Sequence, residues 1–256
     1  MVRSLYTACT GMVHQMNRLD VVTNNMANSD TTAYKKEGST SQSFDSVYGI
    51  KINDSSVNYI HQNIGRMSLG VKVGETYTDY GDGNLEETEQ LYDMALSGKG
   101  FFAISYADRN GNESVRYTRD GNFTVNSQGV LVTKDGDFVL AEDGGLINIP
   151  EGVKISVDES GRITADGQEI AQLQLVDFED YNYLKKFGEN MYIAIDGATT
   201  KDAQCKVYQG YLEASNVNVV TEMVDMITIT RDYESNQKVI QTIDSTLEKS
   251  VALGRI

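Results

Sequence analysis

The sequence predicts an α+β fold. Its N- and C-terminal helices pair as a coiled-coil-like domain, and a central, mainly antiparallel β domain lies between them along the chain. Three observations support this prediction. Apolar residues recur with helical periodicity at both ends, turn dipeptides recur through the middle, and the ends differ from the middle in charge. With 256 residues, the chain is long enough for one or two domains with substantial cores.

Charge separates the two ends from the middle. The chain carries 37 acidic and 22 basic residues, which give a formal net charge of −15. The charges of residues 1–36 and 217–256 cancel, so the whole excess lies in residues 37–216. An acidic chain is a poor ligand for nucleic acid and for anionic membranes, because both attract Lys and Arg. We therefore expect the ends to pack against protein and the middle to face water.

Residues 1–36 predict a helix followed by a turn. Apolar positions follow one another at steps of four and three residues, as in a coiled-coil seam, with Thr23 as its polar member. The other members of this stripe are Leu5, Cys9, Met12, Met16, Leu19 and Met26. A helix over residues 5–27 would be about 35 Å long. Ser4 is its expected N-cap and Asn28 its expected stop.

Residues 37–76 are predicted to form an extended connector with little regular structure. They are rich in Ser, Gly, Asn and Gln, and their aromatic residues Phe44, Tyr48 and Tyr59 are isolated. A structureless connector of this length is unusual in a compact domain. We therefore expect it to be functional, or to be ordered only by a partner.

Residues 77–216 predict a β-rich outer domain. Turn dipeptides such as Asp120-Gly121, Asp135-Gly136 and Asp166-Gly167 recur at the short intervals typical of all-β proteins. Runs rich in β-branched and aromatic residues lie between such turns. They include residues 100–106, 129–132, 138–140, 170–176 and 191–195. The pattern favours an antiparallel sandwich or an irregular barrel.

Residues 217–256 predict a second long helix. Asn218 is its expected N-cap, and Glu222 and Asp225 lie in the first turns, where the helix dipole favours negative charge. One apolar stripe comprises Val219, Met223, Met226, Ile229, Tyr233, Ile240, Ile243, Leu247 and Val251. A second apolar face comprises Val220, Val224 and Ile227. A helix that is apolar on two faces needs more than one partner.

The simplest use of the two stripes is for the terminal helices to pair with each other. The remaining apolar faces would then pack against neighbouring molecules. In this hypothesis one set of side chains packs against another in the same or an adjacent subunit. The first set is Leu5, Met12, Met16, Leu19 and Met26, and the second is Met223, Met226, Tyr233, Ile240 and Leu247.

The sequence contains no pattern typical of a catalytic, metal or cofactor site. Two histidines, His14 and His61, argue against mechanisms that need several imidazoles. Two cysteines, Cys9 and Cys205, are too few for a disulfide framework, and we expect both to be small buried hydrophobes. A phosphate loop and the HExxH, CxxC and GxSxG motifs are absent. Residues 79–86 and 108–113 are interpreted as a solvated turn and a hairpin loop. We predict no enzymatic activity and no cofactor.

Membrane insertion and ordinary secretion are not expected. No apolar run approaches the roughly 18–20 residues that cross a bilayer. The first residues also lack the charged start, apolar stretch and cleavage site of a secretory signal.

Four separated motifs resemble a known family. Residues 24–35 read NNMANSDTTAYK, residues 93–102 read DMALSGKGFF, residues 117–123 read YTRDGNF, and residues 210–220 read GYLEASNVNVV. In content and order they are similar to signatures of the bacterial flagellar basal-body rod and hook proteins. The length favours the short, distal-rod type. The motif residues are Asn25, Asn28, Thr32, Tyr34, Lys35, Gly100, Phe101, Phe102, Asp120 and Gly121. Ala33 stands where the family has Gly, so positive φ is less accessible there.

The resemblance implies an axial structural protein that is exported through the flagellum-specific type III apparatus. It then polymerises helically into the hollow rod that transmits torque from motor to hook. The implied partners are further copies of itself, other rod and hook proteins, and the export apparatus. The implied location is the basal body, outside the cytoplasmic membrane. The motif residues between Asn25 and Lys35 would set the turn from the helix into the connector.

Two alternatives remain open at this point. Within the family, the chain could be a hook or proximal-rod subunit. From another class, it could be a secreted β-rich carbohydrate-binding protein or hydrolase. That alternative predicts a monomer with an accessible cleft and terminal helices that can be deleted.

Overall fold

The computed structural model describes residues 2–50, 63–108, 113–150, 152–188 and 190–254. The chain divides into two compact units. Met1–Ala27, Glu37–Asp79 and Asn218–Ile256 form the helical unit, and Asn28–Lys36 with Tyr80–Val217 forms the β unit. The predicted α+β class, with helices at both ends and an antiparallel β domain between them, is confirmed.

The helical unit contains two long helices, α1 (Val2–Ala27) and α2 (Val219–Leu253). They are antiparallel, since Gln15 of α1 donates a 3.1 Å hydrogen bond to Asp232 and Asn25 contacts Glu222 farther back along α2. The Asn218 side chain caps α2 by accepting from the Thr221 amide at 3.2 Å, as predicted. No helix of the described residues is long and apolar enough to cross a bilayer.

The boundaries of α1 are partly as predicted. The helix ends at Ala27, directly before Asn28. Ser4 lies within the first turn, so its prediction as N-cap is wrong, because α1 already begins at Val2.

Residues 37–76 are more regular than predicted. They contain β1 (Glu37–Ser43), β2 (Val47–Ile50), β3 (Asn63–Met67) and β4 (Val71–Thr78). β1 pairs with β4, and β2 pairs with β3, both antiparallel. The prediction of little regular structure is therefore wrong for the described part, and residues 51–62, with Tyr59 and His61, lie outside it. We refer to β1–β4 as the ribbon. Backbone pairing holds its strands, and the polar sequence of β1 shows no apolar alternation that could predict a strand.

The β unit is built from short strands. They are β5 (Leu85–Glu87), β6 (Met94–Lys99), β7 (Phe101–Ala107), β8 (Glu113–Thr118), β9 (Phe123–Val125), β10 (Leu131–Thr133), β11 (Phe138–Val139), β12 (Ile155–Val157), β13 (Arg162–Ala165), β14 (Gln168–Gln172), β15 (Leu175–Phe178), β16 (Leu184–Phe187), β17 (Met191–Ala194), β18 (Thr200–Asp202), β19 (Gln204–Gln209) and β20 (Tyr211–Glu213). Tyr181–Tyr183 forms a 3₁₀ turn. Each predicted β-rich run contains or overlaps a strand, whereas residues 109–112 of the predicted hairpin loop lie outside the described part.

The strands of the β unit pair antiparallel. The largest sheet of the described residues runs β16-β17-β8-β7-β11-β10-β9, with β15 beside β7 and β18 beside β15. Three strands form a smaller sheet in the order β12-β13-β14, and the pairs β6–β19 and β5–β20 complete the set. β5 and β20 thus pair segments that are far apart in sequence, Leu85–Glu87 and Tyr211–Glu213.

Two apolar clusters form the core of the β unit. Phe102, Ile104 and Ile163 belong to the larger cluster, whereas Phe101, Phe178 and Tyr192 belong to a smaller aromatic one. Phe101 and Phe102 are neighbours on β7, and successive side chains of a strand point to opposite faces. The adjacent pair therefore supplies a buried aromatic ring to each cluster.

Candidate functional site

The predicted stripe on α1 remains largely uncovered by its own unit. Leu5 and Met16 are 36% and 52% exposed, and Cys9 and Thr23 are exposed as well. Met12, Leu19 and Met26 are half-buried. The buried positions of α1 are instead Ala8, His14, Val22 and Asn25. Helix α1 therefore turns a different face toward its own unit and leaves much of the heptad stripe in solvent.

Helix α2 also leaves apolar side chains in solvent. Ile229 is buried. Met226, Tyr233, Ile240 and Ile243 are half-buried. The exposed members of the two predicted faces are Val219, Val220, Met223, Val224, Ile227, Leu247 and Val251. Exposed apolar patches of this kind mark surfaces that dock on other protein or on ligands. We refer to these exposed and half-buried apolar residues of α1 and α2 as the helical surface.

Asn25 ties the end of α1 to the start of β1. Its Nδ2 donates to the Glu37 carbonyl at 2.8 Å, and its Oδ1 accepts from the Glu37 amide at 3.0 Å. The same Nδ2 lies 3.2 Å from the Glu222 carboxylate, which is buried in the first turn of α2. The helix dipole favours negative charge at this position. One buried amide thus joins three elements of the helical unit.

A buried charge network joins distant segments of the β unit. Lys35 Nζ donates to the Glu213 carboxylate and, at 2.8 Å, to the Gly81 carbonyl. Arg119 Nη1 lies 3.3 Å from Glu213 Oε2 and 3.0 Å from Asp82 Oδ1, and its Nη2 donates to the Gly98 carbonyl at 2.6 Å. The side chains of Lys35, Arg119 and Glu213 are almost fully buried. Three of the four recognised motifs therefore meet at Glu213.

Burial and neighbouring charges shift the pKa values of the two cations in this network in opposite directions. Burial lowers the pKa of Lys35, against the attraction of Glu213. Burial also opposes the charge of Arg119, but Glu213 and Asp82 outweigh it and raise the Arg119 pKa. Isolated buried charges are costly, so each member depends on its partners. The network thereby connects residues 28–36 to β20 and to the turn at 81–83.

The other N-terminal motif residues of the 28–36 segment also make contacts within the β unit. Asn28 accepts from the Thr31 amide and hydroxyl, and the Thr32 carbonyl accepts from Asn190 at 2.8 Å. Tyr34 is buried, with the Lys186 ammonium 4.1 Å from its ring centroid. Ala33 adopts a φ of 55° and donates its amide to the Glu213 carbonyl at 2.7 Å. Ala33 thus takes the left-handed conformation that the family's Gly accommodates more easily.

The central motif residues serve packing and close approach. Phe102 meets Phe123 edge to face at 5.1 Å. A Cβ on Gly100 would lie 2.9 Å from Cys205 Sγ, and one on Gly121 would lie 1.5 Å from the Met94 carbonyl oxygen. Asp120 accepts from the Asn122 amide at 3.0 Å and from Asn190 at 3.3 Å, and burial raises its pKa.

The cysteines differ from the prediction in one case. Cys205 is half-buried, and burial raises its pKa. Cys9 is exposed, so its prediction as a buried hydrophobe is wrong, because it lies on the part of the α1 stripe that its own unit leaves uncovered. Among the described residues, no group of three or more His, Cys, Asp or Glu side chains is placed to hold a metal ion.

Three family models match the chain in order. The model for flagella basal body rod proteins matches residues 5–35, that for the D1 domain of flagellar hook protein FlgE/F/G matches residues 95–165, and that for the C-terminal part of flagellar basal body rod FlgEFG proteins matches residues 208–253. The chain is 33% identical over 265 residues to the flagellar basal-body rod protein FlgG of Buchnera aphidicola subsp. Schizaphis graminum, covering 97% of this chain and 98% of that protein. The chain belongs to the flagellar basal-body rod protein family.

Other relatives agree over the full length. The FlgG protein of Bacillus subtilis is 32% identical over 269 residues, covering all of both chains. The FlgF rod protein of Caulobacter vibrioides is 33% identical over 253 residues, covering 98% of this chain and 96% of that protein. The resemblance inferred from the motifs is thus confirmed.

Several residues that make buried contacts with the motif residues were not among the predicted site residues. Glu213 and Arg119 lie within recognised motifs, Asp82 lies in a turn interpreted as solvated, and Glu222 was assigned only to the helix dipole. A charged residue inside an otherwise apolar or Gly-rich motif is the signal that could have singled out Arg119 and Glu213.

Proposed function

We propose that this chain is a structural subunit of the flagellar basal-body rod, of the distal-rod type, located in the basal body. It polymerises helically into a hollow shaft that transmits torque and lets exported subunits pass. Full-length similarity to rod proteins supports this proposal. The structural observation behind this proposal is the helical surface, whose apolar side chains its own unit leaves in solvent. Copies of the chain and neighbouring rod and hook proteins would cover it.

We further propose that the protein acts without catalysis and reaches the rod through the flagellar type III export apparatus. Its relatives are named as rod proteins. The predicted packing residues fit this role by their placement, since most of them are exposed or half-buried on α1 and α2. Subunit association would bury them at roughly 25 cal/mol per Å² of apolar surface.

The test begins with isolated hook–basal bodies from the source cells, in which mass spectrometry should detect this chain. A deletion strain should lack an external hook in electron micrographs. Leu19→Asp should abolish assembly while the β unit keeps its circular dichroism and melting temperature. Asn17→Asp places the same charge on an exposed position of α1 and should assemble. A chain absent from hook–basal bodies, or a Leu19→Asp strain with complete hooks, contradicts the proposal.

A proximal-rod position is the second candidate, because the chain is also similar over its full length to a second kind of rod protein, the FlgF protein of Caulobacter vibrioides. The deletion strain distinguishes the two positions. Loss of a distal subunit should leave a rod stub in the basal body, whereas loss of a proximal subunit should leave none.

A further inference from the structure

The start of α1 and the segments around residues 44–47 and 69 line an open apolar groove of about 630 Å³ in the helical unit. Its apolar lining comprises Tyr6, Phe44, Val47 and Leu69, and its charged lining residues are Arg3 and Asp45. Tyr6 and Val47 are 62% and 53% exposed. The chain's own helices therefore leave the groove open.

Hydrogen bonds and a close backbone approach fix the walls of the groove. The Phe44 amide donates to the Gly70 carbonyl at 3.1 Å, and the Ser68 hydroxyl donates to the Phe44 carbonyl at 3.3 Å. Gly70 also approaches α1 so closely that a Cβ would lie 2.1 Å from Thr10 Oγ1, and Thr10 lines the groove. These contacts hold the turns at 44–46 and 68–70 against each other and against α1.

The end of α2 has the apolar side chains that such a groove would accept. Leu247, Val251 and Leu253 are exposed, Leu253 by 73%. Leu247 and Val251 are four residues apart, which is the anchor spacing of a helix seated in an apolar groove. Because Gln15 contacts Asp232, the antiparallel register brings residue 247 level with the first residues of α1. The last turn of α2 therefore runs past the level of Val2.

One pair of charges on the two surfaces is complementary. Glu248 directly follows the anchor Leu247 and flanks the apolar face of α2, and the groove offers Arg3. Opposite charges beside an apolar contact set the register of docking more than they add affinity. A second copy of this chain thus supplies both the apolar anchors and an acidic partner for Arg3.

We propose that the last two turns of α2 in one subunit dock into this groove of a neighbouring copy in the assembled rod, an inference that rests on the proposed function. Leu247 and Val251 enter between Tyr6, Phe44 and Val47. Glu248, on the flank of these anchors, faces Arg3.

Disulfide cross-linking in isolated hook–basal bodies tests the proposal. In a Cys9→Ala background, Val47→Cys combined with Val251→Cys should produce dimers and longer ladders on oxidation, seen on non-reducing gels. Each single variant controls for Cys205. Val47→Cys with Val220→Cys is the matched control pair, because Val220 is also highly exposed but lies at the opposite end of α2. The control pair should produce at least tenfold less ladder.

Charge exchange provides an independent measurement. Arg3→Glu and Glu248→Arg should each lower the number of complete hooks per cell several-fold, and the double variant should restore it to within twofold of the parent. Rods that contain the chain but form no ladder, or ladder equally with the control pair, overturn the groove contact alone. A chain absent from hook–basal bodies overturns the proposed function and the groove contact together.

Discussion

Lys35 shows how much a single motif residue contributes to the β unit. Its ammonium is buried against Glu213, which also accepts from Arg119 and from the Gly83 amide. Removing one partner of such a network leaves the other charges without full compensation in a medium that solvates them poorly. The motif lysine therefore stabilises the junction between the 28–36 segment and β20.

Lys35→Met should lower the free energy of unfolding of the β unit by about 3–5 kcal/mol, because Glu213 loses its closest cation. Urea unfolding followed by circular dichroism measures the change. Lys35→Met/Glu213→Gln should cost less than the sum of the single variants, since the double variant removes both charges. Arg162→Met breaks an exposed ion pair with Glu169 and should cost at most about 1 kcal/mol. Equal losses for Lys35→Met and Arg162→Met would contradict the assigned role of the network.

Asp120 makes stability depend on pH. Burial raises its pKa above the ordinary value of 3.8, so the folded state binds its proton more tightly than the unfolded state does. The stability contributed by the protonated form is complete below pH 3.8 and is lost as pH rises through the raised pKa. Asp120→Asn keeps an acceptor for the Asn122 amide and removes the buried charge.

We expect Asp120→Asn to gain stability relative to the parent as pH rises from 4 to 7. The difference in urea midpoint between the two proteins measures this and cancels the titration of other groups. A pH-independent difference for Asp120→Asn would count against a raised pKa at this carboxyl.

At the scale of elements, local patterns predicted the helices and most strands but not which surfaces are buried. Periodicity and turn dipeptides identified α1, α2 and the central strands because they reflect neighbouring residues. The stripe through Leu5, Cys9 and Met16 was predicted to pack within the same or an adjacent subunit, and in the single chain it is exposed. Periodicity indicates that one face of a helix is apolar. It does not distinguish burial within a chain from burial between chains.

Two other features could not be predicted from local sequence. Strand β1 consists of polar and small residues without apolar alternation, so no local pattern indicates a strand there. The network at Glu213 joins Lys35, Arg119 and Asp82, and only the folded chain reveals that residues so far apart in sequence meet. Ala33 was expected to resist positive φ, and it adopts it nonetheless, since its amide hydrogen bond to Glu213 and its burial hold the turn.

Asn218 should contribute measurably to the start of α2. Its side chain satisfies the Thr221 amide, which has no acceptor within the first turn of a helix. Asn218→Ala should lower stability by about 1 kcal/mol, while Asn218→Asp, which retains the acceptor, should stay near the parent. Thermal melting followed at 222 nm measures both. An alanine variant as stable as the aspartate variant would show that the cap has no net effect.

At the scale of the whole molecule, the division into units cuts across the order of the sequence. Residues 28–36 belong to the β unit although they directly follow α1, and the ribbon that follows them belongs to the helical unit. The sequence-based boundaries at 36 and 76 grouped residues 28–36 with α1 instead. Glu37 and Thr78 are paired across β1 and β4, so the chain leaves the β unit and returns to it at adjacent points.

A fragment in which residues 28–37 are joined by a short Gly-Ser loop to residues 78–217 should therefore fold as one cooperative unit. It retains Lys35 and Tyr34, both buried. A fragment of residues 80–217 alone loses the Lys35–Glu213 pair and the burial of Tyr34. It should be less stable by at least about 3 kcal/mol, or roughly 6–12 °C in melting temperature for a unit of this size. Circular dichroism melts of the two fragments decide the matter: equal melting temperatures would mean that residues 28–36 are dispensable to the β unit, whereas the expected gap means that the N-terminal motif completes the domain it precedes.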